Sequence, residues 1–394
     1  MLSEVTETLA GELVRPTVRS PDWSEVHWLL ARAVSAIHGI SGLLASRPWP
    51  DGPRTWSSFL LEQRDHIATR HRRMEDALGQ IDSAARTEGI AVLGLKGSAL
   101  RKMSVYDAGQ RPMADIDLLA HSDELPRATR LLESLAFHET QVIARHRAFE
   151  PKTPHAPAAL GEFSANDVKI DLHTRIMEQL PLRQVDITES VFPSHQPAGL
   201  CPYPSTAALM LHLILHSAGN MVIRTLRLVQ LHDIARVTAR MSEVDWENVV
   251  RLACANEGNG WWLYPPLALM RRYVGIAAPE AVLEHARSRC PRRLVAVCRE
   301  RSLAGFSLSH PWVAAFPALC WTRSGPERLT YLCTRLLRSD IAVYRKTAFR
   351  QKPTLAAGKW SRLSRARKLI RWATGRAPRL GTLAAIEAAF AARN

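Results

Sequence analysis

The segment Ala114-Asp115-Ile116-Asp117-Leu118-Leu119-Ala120 alternates carboxylates with branched aliphatic side chains and then stays apolar to its end. Successive side chains of an extended strand point to opposite faces, so the pattern predicts a strand with Ile116 and Leu118 on one face and both acids on the other. Paired carboxylates on an otherwise apolar strand need a cation or a polar partner. The strand therefore belongs to a sheet with one face against a core, and its acids either grip a cation or stand as surface carboxylates on a solvated strand edge. Acids two residues apart are common in a chain with 37 Asp and Glu, so the pair gains weight only from its neighbours.

Those neighbours stand in order around it. Gly89 to Leu95 is short, apolar and bounded by glycine, which predicts a buried strand. Lys96-Gly97-Ser98 ends it and opens a helix to about Val105, a turn whose backbone N–H groups and Ser hydroxyl suit a phosphate. A loop through Gly109 and Pro112 leads to the acidic strand. Ser122 or Asp123 is placed to cap a helix running through Leu125, Ala128, Leu131, Leu132 and Leu135, and Phe137 to Ile143 reads as a further strand. Pro151, Pro154 and Pro157 mark a loop. Val168-Lys169-Ile170-Asp171-Leu172-His173 alternates again and adds a third carboxylate. Three oxygen donors of this kind suit a divalent cation. His173 either orients Asp171 or packs along the strand.

Helical spacing dominates on both sides. Leu29, Ala33, Ala36, Ile37, Ile40 and Leu44 predict a helix from Trp23 to Leu44, and a second follows from Ser57 to about Glu88 after the Pro48 to Pro53 break. Pro193, Pro197, Pro202 and Pro204 form a boundary, and the chain reads as helical from Ser205 onward. The expected class is α+β: a helical lead (1–88), a small mixed-sheet core (89–192), a large helical domain (193–340) and a basic helical tail (341–394). His212 and His216, four apart on an apolar helix, read as hydrogen-bonded core or groove histidines. Asp233 reads as a cap or salt-bridge partner within the helical half.

Lys and Arg number 52, and the isoelectric point is near 10.1, which favours a polyanionic partner. Twelve of these cations fall between Tyr344 and Arg379, where no Asp or Glu occurs. Trp360, Leu363, Ile370 and Trp372 fall opposite much of that charge. Such a helix suits an acidic membrane surface, nucleic acid or an acidic protein, or packs by its apolar side onto the helical half. The six cysteines form no Cys-x-x-Cys pair, and Met1 to Pro16 carries Glu4, Glu7 and Glu12 without a basic start. Reduced thiols and a cytoplasmic location are expected, with the membrane periphery as the variant that the basic segment adds.

A Gly-Ser turn, an Asp-x-Asp strand and a third Asp on a later strand resemble the nucleotidyltransferase core of the DNA polymerase beta superfamily. The nearer resemblance is to the bacterial group of nucleotidyltransferase family proteins. It is carried by Leu95-Lys96-Gly97 with Ala99-Leu100, by Arg111-Pro112 ahead of Asp115-Ile116-Asp117-Leu118-Leu119, by the helix ending Leu131 to Phe137, and by Val168 to His173. Specific motifs cover residues 89–175. Ser98 and Asp115 enclose sixteen residues, more than is usual in the superfamily but familiar in the bacterial group.

The resemblance implies transfer of a nucleoside monophosphate from a nucleoside triphosphate to an acceptor, with pyrophosphate leaving. It implies two Mg²⁺ ions held by Asp115, Asp117 and Asp171, the last nearer the nucleophile. It also sets Gly97 and Ser98 against the phosphates, with Lys96 or Arg111 offsetting their charge. The acceptor stays open among a small molecule, a sugar, a peptide or protein side chain, and an RNA end. Two alternatives differ in kind. One is a glycosyltransferase whose Asp-x-Asp binds a sugar diphosphate through Mn²⁺, disfavoured by the helical character of residues 1–88. The other is a non-catalytic protein of the same fold that holds a polyanion.

Overall fold

A computed structural model describes residues 1–142, 146–152, 160–255, 259–337 and 355–391. Alternation in the sequence becomes two-sided burial in the sheet. β1 (Ala91–Gly94) and β2 (Ile116–Ala120) pair antiparallel, and β5 (Ile170–His173) runs parallel to β2. β3 (Phe137–Val142) and β4 (His146–Pro151) extend the sheet beyond β5, and β8 (Gly199–Cys201) joins β1 in parallel, giving the order β3-β4-β5-β2-β1-β8. A separate hairpin pairs β6 (Met177–Leu180) with β7 (Arg183–Asp186). The class is α+β.

Ile116, Leu118, Ile170 and Leu172 share one apolar cluster with Met74, Ala77 and Ile81, and with Leu131 and Leu132. These partners lie on α4 (Arg54–Glu88) and α6 (Leu125–Ser134), which cover that face of the sheet. Leu93, Leu95 and Leu119 belong to the other cluster, which continues through α8 (Thr206–Val222) and α9 (Leu228–Thr238). Ser205 starts α8 by accepting a hydrogen bond from the Ala208 N–H at 3.1 Å. The carboxylates of β2 and β5 thus emerge on the side facing α8 and α9, where a cleft opens.

Several boundaries differ from the sequence reading. The helix expected from Trp23 to Leu44 is two: α2 (Glu25–His38) stops at Gly39, whose φ of 65° closes it, and α3 (Ser41–Leu44) follows. A Cβ at Gly39 would stand 2.8 Å from the Arg227 guanidinium. α4 starts at Arg54, directly after Pro53 and earlier than expected, because proline's missing N–H costs nothing at a helix start. Glu124 rather than Ser122 or Asp123 precedes α6, with Pro126 in its first turn. β4 occupies residues to which the sequence reading assigned no element, up to the loop that begins at Pro151. Its one buried side chain, Phe149, gave no alternation to detect.

Residues 338–354, and with them part of the expected basic tail, lie outside the described residues. Further on, a helix spans Arg365–Ala373. Its Trp372 is buried against Phe316, with ring centroids 5.9 Å apart, while Leu369 and Ile370 are 51% and 62% exposed. The helix therefore docks by its tryptophan, and Ile370 stays outside. No helix among the described residues is long and apolar enough to cross a membrane. All six cysteines are free thiols.

Candidate active site

The parallel register of β2 and β5 sets Asp117 opposite Asp171 and Leu119 opposite His173. Like charges directly across a strand pair repel, so the sheet holds them together at a cost that something in the cleft must offset. Asp115 lies in the bend one residue before β2. Arg70 of α4, itself buried, fixes that bend: its guanidinium donates to the Met113 carbonyl at 2.7 Å and the Ala114 carbonyl at 3.1 Å. The same side chain pairs with Glu162 and donates to the Asp167 carbonyl at 3.3 Å, so one arginine ties the approaches to both acidic strands.

The three carboxylates differ in environment. Asp117 Oδ2 accepts from Lys96 Nζ at 3.0 Å, and its Oδ1 lies 3.0 Å from His173 Nε2. Burial pushes the Asp117 carboxyl up, but Lys96 and His173 outweigh it and hold it well below the usual range. Burial likewise pulls the Lys96 ammonium down, and Asp117 above all outweighs that. Asp115 has no such partner among the described residues. Burial, then Asp117 and Asp171, push its carboxyl up to about 7. Asp171 is raised chiefly by burial, and His146 Nε2 stands 3.2 Å from its Oδ2.

These groups line a cleft of about 370 Å³ between the sheet and the helices. Gly97 is on its wall, and a Cβ there would meet Arg111 Nη1 at 2.7 Å. Arg111 Nε and Nη2 each donate to Asp233 at 2.7 Å, one to each oxygen, and Tyr106 adds its hydroxyl at 2.8 Å. The sequence reading of Asp233 as a salt-bridge partner holds, but the partner comes from the loop before β2 rather than from the helical half. Arg227 also lines the cleft. It donates to the Ile37 carbonyl at 2.9 Å and has no carboxylate partner among the described residues. His212 Nδ1 is 2.7 Å from the Tyr203 hydroxyl, and His216 lies 3.6 Å from Glu178. Burial holds both histidines below the ordinary imidazole value, so they are neutral groove residues.

Of the residues singled out from sequence, Asp115, Asp117, Asp171, Lys96, Gly97 and Arg111 come together on this cleft. Ser98 does not. Its hydroxyl is buried without a hydrogen-bond partner among the described residues, its N–H donates to the Leu95 carbonyl at 3.1 Å, and the residue lines a second cavity with Leu200 and Leu209. The turn presents lysine and glycine to the carboxylates and turns the serine away. His146, Glu178 and Arg227 went unremarked in the sequence reading. The first belongs to the undetected strand, and the others reach the cleft only through tertiary packing.

A mixed sheet with three converging carboxylates, a lysine at the turn after its first strand and helices closing the far wall define a nucleotidyltransferase-like α+β protein. The chain belongs to the family described as uncharacterised nucleotidyltransferase, which matches residues 23–258. That span holds every residue placed on the cleft above. Comparison with curated proteins and with solved structures finds no match. Membership supports an enzymatic nucleotidyl-transfer role with a nucleotide triphosphate as substrate.

Proposed function

We propose that the protein transfers a nucleoside monophosphate from a nucleoside triphosphate to an acceptor hydroxyl, phosphate or similar nucleophile, using divalent cations held by Asp115, Asp117 and Asp171. One observation carries this reading: three carboxylates share one face of a buried sheet, and among the described residues a single lysine pairs with them and Asp115 has no direct partner. That donor set fits hard cations such as Mg²⁺, which take a few carboxylates and complete their shell with phosphate and water. When bound, such ions neutralise charge on the attacking and leaving oxygens.

The chain's own residues divide the remaining work. Gly97 lets the turn backbone pack closely against Arg111 and Met113 on the cleft wall. Lys96 and Arg227 supply positive charge, and Arg227 makes no direct ion pair among the described residues. The fork to Asp233 holds Arg111 still, so it shapes the wall as a fixed dipole rather than as a mobile clamp. Asp171, raised by burial, sits where it can accept the nucleophile's proton. The test is a screen of labelled nucleoside triphosphates for pyrophosphate release with candidate acceptors. Transfer is expected in the native protein and lost in both Asp115→Asn and Asp117→Asn. Near-normal turnover by both variants would overturn the reading.

We infer a second contact for the helix Arg365–Ala373. Exposed Leu369 and Ile370 stand with Arg365, Arg367 and Arg371 on a helix that docks by Trp372 alone among its apolar residues. Basic side chains beside an exposed apolar stripe suit an anionic lipid surface better than RNA, which has no use for the stripe. The peripheral location rests on this helix.

A further inference from the structure

His146, Asp171 and His173 each bring one ligand atom to a common point, with these atoms within 4.8 Å of one another. Two antiparallel strands build the cluster. The β4–β5 register sets His146 opposite His173 and Ala148 opposite Asp171, so the imidazoles are cross-strand neighbours and the carboxylate lies one pleat away on the same face. The rings stand 5.0 Å apart between centroids, and His146 Nε2 is 3.2 Å from Asp171 Oδ2. All three side chains are half-buried and line the cleft, so the position is open to solvent and to substrate.

Ligand chemistry separates this cluster from the Asp115–Asp117 pair. Carboxylates alone suit Mg²⁺, which loses its water reluctantly and favours hard oxygen donors. Two imidazoles and one carboxylate are borderline donors of the kind that hold zinc and other late first-row ions, with a coordination position left open. Asp117 Oδ1 lies 3.0 Å from His173 Nε2, so one carboxylate touches both clusters. Metal-ligating histidines are commonly oriented by such a carboxylate.

We propose that His146, Asp171 and His173 form a second cation position, distinct in selectivity from Asp115–Asp117, that takes Zn²⁺ or a similar late first-row ion in preference to Mg²⁺. The inference deepens the transfer reading, in which Asp171 serves the nucleophile. The protein would then carry a hard ion with the triphosphate and a borderline ion next to the acceptor. The acceptor's attacking atom would meet the more strongly acidifying of the two.

The experiment uses the full chain, freed of affinity tag and stripped by chelator, without nucleotide. Zn²⁺, Co²⁺ and Mg²⁺ are titrated separately by calorimetry, and the visible d–d absorption of Co²⁺ reports imidazole ligation at low coordination number. The expected result is one Zn²⁺ or Co²⁺ bound far more tightly than Mg²⁺. That affinity should fall at least about tenfold in His146→Ala and in His146→Gln and persist in Asp115→Asn. Circular dichroism of each variant separates lost ligation from lost folding. Zn²⁺ no tighter than Mg²⁺, or folded His146 variants that bind it normally, would overturn the proposal. Because no triphosphate is present, that failure would leave the Asp115–Asp117 reading standing. Absence of triphosphate turnover in the native protein with intact Zn²⁺ binding would instead strike the transfer reading alone.

Discussion

Lys96 reaches Asp117 at 3.0 Å from a backbone held at φ 44° and ψ −105°, a conformation that side chains other than glycine rarely adopt. The strain, about 1–3 kcal/mol for such a residue, is maintained by the Lys96 N–H, which donates to the Tyr203 hydroxyl at 3.2 Å, and by the ion pair itself. The turn after β1 is thus bent so that a lysine, rather than the serine two residues on, faces the acids.

Two substitutions separate the charge from the strain. Lys96→Met leaves Asp117 without its cation in a largely buried site and should destabilise the metal-free protein by about 3 kcal/mol. Lys96→Gly loses the same charge but relieves the backbone, and should be about 1 kcal/mol more stable than Lys96→Met. Urea denaturation with and without Mg²⁺ checks both values. Mg²⁺ should recover part of the loss in each, since a cation replaces the missing ammonium. A Lys96→Met protein as stable as the native one would show that the pair carries no stability.

Asp115 gives a pH-dependent prediction. Its folded carboxyl titrates at about 7 and the unfolded one near 4. Between those values the folded state keeps a proton that the unfolded chain releases, so Asp115 costs stability progressively as pH rises. Asn cannot ionise. Asp115→Asn should therefore match the native metal-free protein near pH 4 and exceed it by roughly 2–4 kcal/mol near pH 8. Buried neutral histidines such as His38 and His232 change stability in the opposite sense, but they cancel in the difference between the two proteins. Adding Mg²⁺ at pH 8 should narrow the gap. A gap independent of pH would mean that Asp115 is not ionising in this range.

Asp171 divides binding from chemistry. Asp171→Asn should retain Mg²⁺-triphosphate affinity, through Asp115, Asp117, Lys96 and Arg227, while losing transfer by at least about a hundredfold. Calorimetry with a non-hydrolysable triphosphate and turnover with the native donor measure the two separately. Equal loss of binding in the variants of all three aspartates would remove the distinction.

The legible part of the site is the part that local alternation encodes. Asp115, Asp117 and Asp171 sit among Ile and Leu at period two, so each segment declares its own polar face. The mixed sheet and the helical surroundings follow from similar local patterns. His146 was illegible because its strand buries only Phe149 and its cluster joins it to residues 25 and 27 positions later, a spacing with no motif. Ser98 misled because a turn fixes which backbone atoms face a phosphate only after its neighbours are placed: Gly94, where a Cβ would stand 3.2 Å from Ser98 Cβ, leaves room for the serine on the side of the far cavity. Arg111 is, with Lys96, one of the two cations that the resemblance sets against phosphate charge, and nothing local announces an Asp233 partner 122 residues away.

Gly97 tests how rigid the Arg111 wall is. A Cβ there would lie 2.7 Å from Arg111 Nη1 and 3.0 Å from Met113 Cγ. A free arginine would swing aside, but both remaining nitrogens are bound to Asp233. Gly97→Ala should cost about 1–2 kcal/mol and weaken triphosphate binding. In the Asp233→Asn background the guanidinium is released and the added cost of Gly97→Ala should shrink. Thermal or urea unfolding of the four proteins closes the cycle. Additive effects would mean that the two sites are energetically independent.

The helix Arg365–Ala373 predicts a salt-dependent surface interaction. Truncating the chain before it is a poor probe, because the following helix, Leu380–Ala391, belongs to the folded body: Thr382 donates its hydroxyl to the Leu308 carbonyl at 2.9 Å and is itself buried. Substituting exposed side chains avoids that loss. Leu369→Asp with Ile370→Asp should leave stability within about 0.5 kcal/mol of native, as for other surface changes, and abolish sedimentation with vesicles containing phosphatidylserine. The native protein should bind those vesicles, prefer them to pure phosphatidylcholine, and release them as salt rises from low to physiological strength, since the attraction acts within a Debye length. Trp372 faces Phe316 and should report little, so the reporter is a Trp introduced by Ile370→Trp, whose emission should shift blue on vesicles. Vesicle binding that survives the double substitution, or RNA binding with no vesicle binding, would assign the basic residues to phosphate contact alone and remove the apolar stripe from the interaction.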